Sequence, residues 1–323
     1  MPDYGHQLEF GYFLTPEAAD PAGVLATTRL LDALGYDFIG IQDHPYQPRF
    51  LDALALLAYV LAQTERVRVF PAVANLALRP PALLAKEAAS LDRLSGGRFE
   101  LALGTGGFQQ AAAAMGGAVR SPGEQIAALA EAIEVIRAMW SGERGVRYAG
   151  SYYQLAGLHA GPTPAHDIGI WIGSRGPRAL ALTGRSADGW VSPMMGYLPP
   201  GEAAQASLSI DDAAREAGRS PAAVRRIYII PGAFAPVAPH PPSDADQSIV
   251  GPVDHWAAML EHLAADFGFS SFGFAAPPDP DALRTFIEEV APRVRERVAA
   301  RRATAPETPL RRLETEVRGR QDR

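Results

Sequence analysis

Phe38-Ile39-Gly40-Ile41-Gln42-Asp43-His44-Pro45 is a short apolar run that stops on an acid and a histidine. The run is too short for a helix and is bounded by turn formers, so it reads as a buried strand. Pro45 and Pro48 then stop regular structure. If the fold is an α/β barrel, the C-terminal end of a strand is where active sites are built. An imidazole titrates near neutrality and gives or takes a proton there. The alternative is structural: Asp43 caps a turn and His44 merely bonds it.

Outward from this run, the chain alternates. Before it come a strand over Leu8 to Leu14 and a helix over Pro21 to Leu34, with Gly35 as the stop. After it come a helix over Leu51 to Thr64, a third strand over Val67 to Val73, and a helix over Pro80 to Leu94 opened by Pro80-Pro81. The fourth strand is Arg98 to Leu103 and the fifth Ile168 to Ile172. A helix over Pro177 to Ser186, a strand over Gly189 to Ser192 and a helix over Glu202 to Ala217 follow. The last units are a strand over Arg226 to Pro231, a helix over Val253 to Asp266, a strand over Ser271 to Ala275 and a helix over Pro280 to Arg297.

Eight strand-then-helix units imply a parallel sheet. An open doubly wound sheet is the alternative. The count of eight, and the lack of a dinucleotide fingerprint after the first strand, favour a (β/α)8 TIM barrel with an insertion between strands 4 and 5. One barrel domain over residues 1–300 is expected. The insertion covers about 104–167, and 301–323 read as a charged frayed helix or disordered tail. Within the insertion, Ser121-Pro122-Gly123-Glu124 has the form of a capping box. It opens a helix with Ile126, Leu129, Ile133, Ile136 and Trp140 on one face. Arg147 to Gln154 reads as a strand pair or lid, with packing or dimer contact as the other role. Ala235 to Gln247 is a proline-rich loop.

Composition narrows the chemistry. The chain has 323 residues, 47% of them hydrophobic, and a net charge of -6 with acids and bases interspersed. That pattern carries no nucleic-acid footprint. Cysteine is absent, which removes thiolate nucleophiles, thiolate metal sites and disulfides. Lys86 is the only lysine, so Schiff-base chemistry is confined to a residue that reads as a surface side chain. No basic segment precedes an apolar core at the N-terminus, and no run approaches the roughly 18 apolar residues of a membrane span. A soluble cytoplasmic protein with a small-molecule substrate is expected. The other histidines lack ligand spacing, so no metal is expected.

Three further clusters fall at the ends of strands three to five. In Phe70-Pro71-Ala72-Val73-Ala74-Asn75 the proline cannot donate a ladder bond, so the strand bulges or ends there. An ordinary strand end is the alternative. In Gly104-Thr105-Gly106-Gly107 the glycines let the backbone approach a ligand, and Thr105 offers a hydroxyl. Gly173-Ser174-Arg175-Gly176-Pro177-Arg178 runs from a strand into a helix. Free N–H groups, the helix dipole and two arginines make that an anion site suited to a phosphate. It lacks the spacing and the lysine of a nucleotide-triphosphate loop.

Taken in order, the motifs resemble the luciferase-like monooxygenase superfamily over roughly residues 8–297. They are Gly35-Tyr36-Asp37 leading to Gln42-Asp43-His44, Arg79-Pro80-Pro81 with Leu91-Asp92-Arg93-Leu94-Ser95-Gly96-Gly97-Arg98, and Ile170-Trp171-Ile172-Gly173 leading to Ala187-Asp188-Gly189-Trp190. The branch it looks most similar to uses coenzyme F420, a deazaflavin. The resemblance implies a barrel with cofactor in its mouth, a homodimer, and hydride transfer to or from an organic substrate. It implies that His44 exchanges the proton beside the reacting ring and that Asp43 contacts and orients the cofactor. It places a non-proline cis peptide at Ala72-Val73, behind the ring, in the stretch that continues to Ala74. Asn75 and Thr105, the latter beside Gly106, would bond the ring or its side chain. Arg175, Gly176, Arg178 and Ala179 would hold the phosphate, on the turn that begins at Gly173 and Ser174. Sugar-phosphate dehydrogenases of the branch carry a glutamate where this chain has Gly107, and they use lysines that it lacks. The competing readings are an FMN-dependent monooxygenase on the same barrel and a cofactor-binding protein without catalysis.

Overall fold

The computed structural model describes residues 3–304. In chain order the elements are β1 (Glu9–Leu14), α1 (Pro21–Leu34), β2 (Phe38–Ile41), α2 (Ala53–Gln63), β3 (Arg68–Pro71), β4 (Ala74–Asn75), α3 (Pro81–Ser95) and β5 (Leu101–Gly104). Next come α4 (Gln109–Ala114), α5 (Pro122–Trp140), β6 (Val146–Ala149), β7 (Gln154–Leu158), β8 (Ile170–Gly173), α6 (Pro177–Ser186) and β9 (Gly189–Val191). The chain continues with α7 (Pro200–Glu216), a short 3-10 turn, β10 (Arg225–Phe234), β11 (Ile249–Gly251), α8 (Val253–Phe267), β12 (Ser271–Ala275), α9 (Pro280–Thr285), one π-helical turn (Phe286–Val290) and α10 (Ala291–Thr304).

The strands pair in parallel in the order β3-β2-β1-β12-β10-β9-β8-β5-β4. Strands β3 and β4 are two pieces of one stave, parted at Ala72-Val73. Val69 bonds across to Arg98 and Glu100, which closes the circle at eight staves. The barrel expected from the alternation is the observed fold. Sequence punctuation accounts for its helices. Asp20 caps α1 and Gly35 ends it in the left-handed region at φ 86°. The Ser121/Glu124 capping box opens α5 with both of its bonds formed.

Two apolar layers follow from the strand period. Outward residues pack under the helices, and inward ones fill the barrel. Phe38, Phe70, Ala102, Trp171 and Ile227 form the inner plug, with Phe70 edge-on to Trp171 at 4.8 Å. Below the plug, the strand starts carry a charged floor. Arg68 meets Glu9 at 2.6 Å and Glu100 at 3.4 Å, and Arg225 meets Glu9 at 3.1 Å. His166 joins it, 2.7 Å from Asp92 and 3.5 Å from Glu100. The contact with Glu100, aided by Asp92 and opposed by burial, raises the His166 imidazole to about 9.

Several boundaries differ from the expectation. Helix α5 is not an addition over the mouth: it buries Leu129, Ile133 and Ile136 and packs on α3 and α6, so it is the barrel's own fourth helix. Strands β6 and β7 form the expected antiparallel pair, held to α5 through Glu131, which accepts from the N–H groups of Ser151, Tyr152 and Tyr153. The proline-rich loop leads into β11, which extends the barrel edge beside β10 and is too short to leave a pattern in sequence. Arg301 to Thr304, read as frayed helix or tail, continue α10, where Arg301 pairs with Asp266 at 2.7 Å. The rest of that tail, 305–323, lies outside the described residues. Among the described residues no helix is long and apolar enough to cross a membrane.

Candidate active site

The C-terminal ends of the staves surround a cavity of about 1150 Å³. His44, Ala72, Val73, Gly173, Ser174 and Arg175 all line it. The histidine after β2 and the glycine turn after β8 therefore face one space. Asp43, Ala74, Asn75, Thr105, Gly106, Gly176, Arg178 and Ala179 lie outside its lining.

Asp43 is positioned differently from what the resemblance implied. Its side chain is fully buried. Arg79 grips both carboxylate oxygens at 2.8 Å, and the Asn75 N–H donates to Oδ2 at 2.9 Å. Arg79 also reaches Asp52, the N-cap of α2, at 2.6 Å. Burial alone would depress the Arg79 guanidinium, but the two carboxylates outweigh it and hold it above its usual range. Asp43 thus acts through the protein: it ties the end of β2 to the turn after the bulge and fixes where His44 begins.

His44 is exposed to the cavity, and its Nδ1 lies 2.8 Å from the Tyr46 hydroxyl. Tyr46 in turn packs edge-on against Phe108 at 5.5 Å. Desolvation lowers the imidazole below its ordinary value, with Asp43 opposing weakly. At neutral pH the ring is uncharged, so it is ready to accept a proton. Which nitrogen carries the hydrogen depends on the tautomer chosen by the Tyr46 bond.

The peptide between Ala72 and Val73 is cis, at the position the resemblance gave. Val73 projects between two neighbouring staves. A Cβ built on Gly104 would come 2.5 Å from a Val73 methyl, and one on Gly173 would lie 3.0 Å away. Gly104 leaves the room that this valine fills, and a side chain at Gly173 would press on it. Gly106 has φ 78°, and a Cβ there would stand 2.4 Å from Asn75 Oδ1. That oxygen accepts from the Ala77 N–H at 3.1 Å, so it is spent inside its own turn.

Helix α6 starts at Gly176 and Pro177 with no side-chain cap. Its first-turn N–H groups, including those of Arg178 and Ala179, have no carbonyl within the helix to bond. Arg175 is 61% exposed, with only Glu202 near it at 3.9 Å, so its charge is largely available. Ser174 is turned away: its hydroxyl meets Thr183 Oγ1 at 3.0 Å, and its carbonyl accepts from Trp190 at 3.0 Å. An open helix N-terminus and two arginines suit a phosphate.

The cavity also takes in residues that no motif marks. Thr15, Glu17 and Asp20 come from the loop after β1, and Ser192, Pro193 and Met194 from the loop after β9. The signal was available, since each follows a barrel strand. The insertion, for which a lid was one reading, contributes no residue to it.

Comparison with known proteins supplies the context. A coenzyme F420-dependent tetrahydromethanopterin reductase from Methanopyrus kandleri superposes with a TM-score of 0.76 at 20% identity, over 89% of this chain and 99% of that one. An F420-dependent secondary alcohol dehydrogenase bound to an F420-acetone adduct does so with 0.76 at 18%, over 90% and 99%. Both share the barrel. In sequence, an F420-dependent glucose-6-phosphate dehydrogenase of Microbacterium testaceum is 32% identical over 66% of this chain and 64% of its own length. The chain thus spans less than two thirds of that curated relative. The luciferase-like monooxygenase profile matches residues 8–268, from the first barrel strand through the last barrel helix before β12. With the fold, the histidine-ended β2 and the bulged β3/β4 stave in agreement, the chain belongs to the luciferase-like monooxygenase family.

Proposed function

We propose that this chain is an oxidoreductase that passes hydride between coenzyme F420 and an organic substrate. The observation that carries the reading is the cavity joining His44 to the turn Gly173–Arg175 that leads into the uncapped α6, with the Ala72-Val73 bulge on a stave between them. Bound there, a deazaflavin supplies the hydride chemistry. Arg175, Arg178 and the first-turn N–H groups of α6 would hold its phosphate. Ala72 and Val73 would back the ring, and Gly104 and Gly173 leave room for Val73. His44, neutral at rest, holds or takes the proton that accompanies hydride movement, and Tyr46 fixes its ring. The inner aromatic plug keeps water from reaching the site from below. The 32% identical relative named for F420 adds support for the cofactor. A homodimer belongs to the same reading, supported by Tyr59 of α2 and Leu83 and Leu94 of α3, which are large, apolar and exposed on adjacent helices.

The test is retention. Protein mixed with F420, and separately with FMN, is desalted and its visible spectrum recorded. F420 alone should stay with the protein. Retention of FMN without F420 would turn the reading to a flavin monooxygenase. Binding of F420 with no turnover on any alcohol or carbonyl compound would leave a binding protein.

A further inference from the structure

Building on the cofactor assignment above, we infer that the substrate is a neutral, largely apolar molecule with one hydroxyl or carbonyl group, and that Glu17 excludes phosphate and carboxylate groups from its place. The charge inventory of the cavity leads there. Four ionisable side chains line it besides tyrosine: Glu17, Asp20, His44 and Arg175. Asp20 is occupied as the cap of α1, accepting from the Gly23 N–H at 2.9 Å. Among the described residues the Glu17 carboxylate makes no ion pair. Arg175 is the one strong base in the wall, and the cofactor reading assigns it to the phosphate.

Topology separates the two charges. In the strand order, β1 and β8 are four staves apart in a ring of eight, so they face each other across the barrel. Glu17 follows β1 and Arg175 follows β8. An anionic substrate on the β1 side would find a carboxylate and no cation. A buried charge without a partner is strongly disfavoured. Besides Glu17 and the cap Asp20, that side carries the uncharged hydroxyls of Thr15 and Thr27 and the apolar Phe13, Val24 and Pro277. Gln42 adds an uncharged donor on His44's side of the cavity. The rim loops repeat the pattern: Phe108, Met115 and Val119 after β5, Tyr197 after β9 and Val237 after β10 are exposed. The glucose-6-phosphate of the relative's name does not fit such a wall.

The test uses a matched pair, cyclohexanol and cyclohexyl phosphate, titrated by ligand-observed NMR into protein that has retained F420. Failure to retain F420 counts against the cofactor reading alone. In that event the same pair is titrated into the cofactor-free chain in inorganic phosphate, which fills the α6 cradle. Cyclohexanol should bind about tenfold or more tightly than cyclohexyl phosphate. Glu17→Lys should remove that gap, and Glu17→Gln should narrow it if the lysine variant does not fold. Equal or tighter binding of cyclohexyl phosphate to the wild type would overturn the inference. So would a gap that Glu17→Gln leaves unchanged.

Discussion

Replacing Arg79 by alanine strips the buried Asp43 carboxylate of its cation. Two 2.8 Å bonds to that carboxylate disappear, and one bond from the Asn75 N–H remains. Asp43 has no exposed side-chain surface in the intact protein, so its carboxylate depends on protein donors. Breaking one side of such a pair costs about 3–5 kcal/mol. Unfolding entropy of roughly 2.1 cal/mol/K per residue, taken over the chain, puts the drop in Tm at about 4–7 °C. Differential scanning calorimetry of the wild type, Arg79→Ala, Asp43→Ala and the double variant measures it. The double variant leaves no orphan charge, so its loss should fall short of the summed single losses by about 1–3 kcal/mol. An Arg79→Ala protein that melts within a degree of the wild type, or losses that simply add, would refute the role given to this pair.

Three other perturbations test separate parts of the molecule. His44→Ala should lower F420 turnover by about 10²–10⁴. Because burial lowers the imidazole in the folded protein, the acidic limb of the kcat/KM profile should inflect below the ordinary histidine value and vanish in the variant. His166 is raised to about 9, so its stabilisation is full below its unfolded value near 6.5 and is lost as pH rises through 9. Urea midpoints of the wild type should therefore fall across that window relative to His166→Gln; parallel curves would remove His166 from the floor's energetics. Gly104→Ala sets a Cβ 2.5 Å from a Val73 methyl and should cost about 1–3 kcal/mol and weaken F420 retention. Val73→Ala in the same chain should restore part of both losses, as read by Tm and desalting.

The barrel was legible because its strands are short apolar runs punctuated by helix stops, as at Gly35 and Gly96. Such signals are local. The glycine turn after β8 was legible for the same reason: a strand, a glycine turn and a proline-opened helix sit in consecutive residues. The partner of Asp43 was not, because Arg79 lies 36 positions away and only the closed barrel brings them together. The resemblance gave Asp43 to the cofactor, whereas burial gives it to Arg79. Helix α5 was mistaken for an addition because the loops on both sides of it are long, and sequence distance hides which neighbours a helix packs on. Glu17 was missed since it stands in a short loop, Thr15 to Asp20, with no periodicity to mark which side chain turns inward.

The charged floor and aromatic plug also set the traffic of ligands. With Arg68, Glu9 and Glu100 locked below and Phe70 against Trp171 above them, the barrel has no rear door. Whatever occupies the deep end must arrive before, and depart after, whatever occupies the doorway.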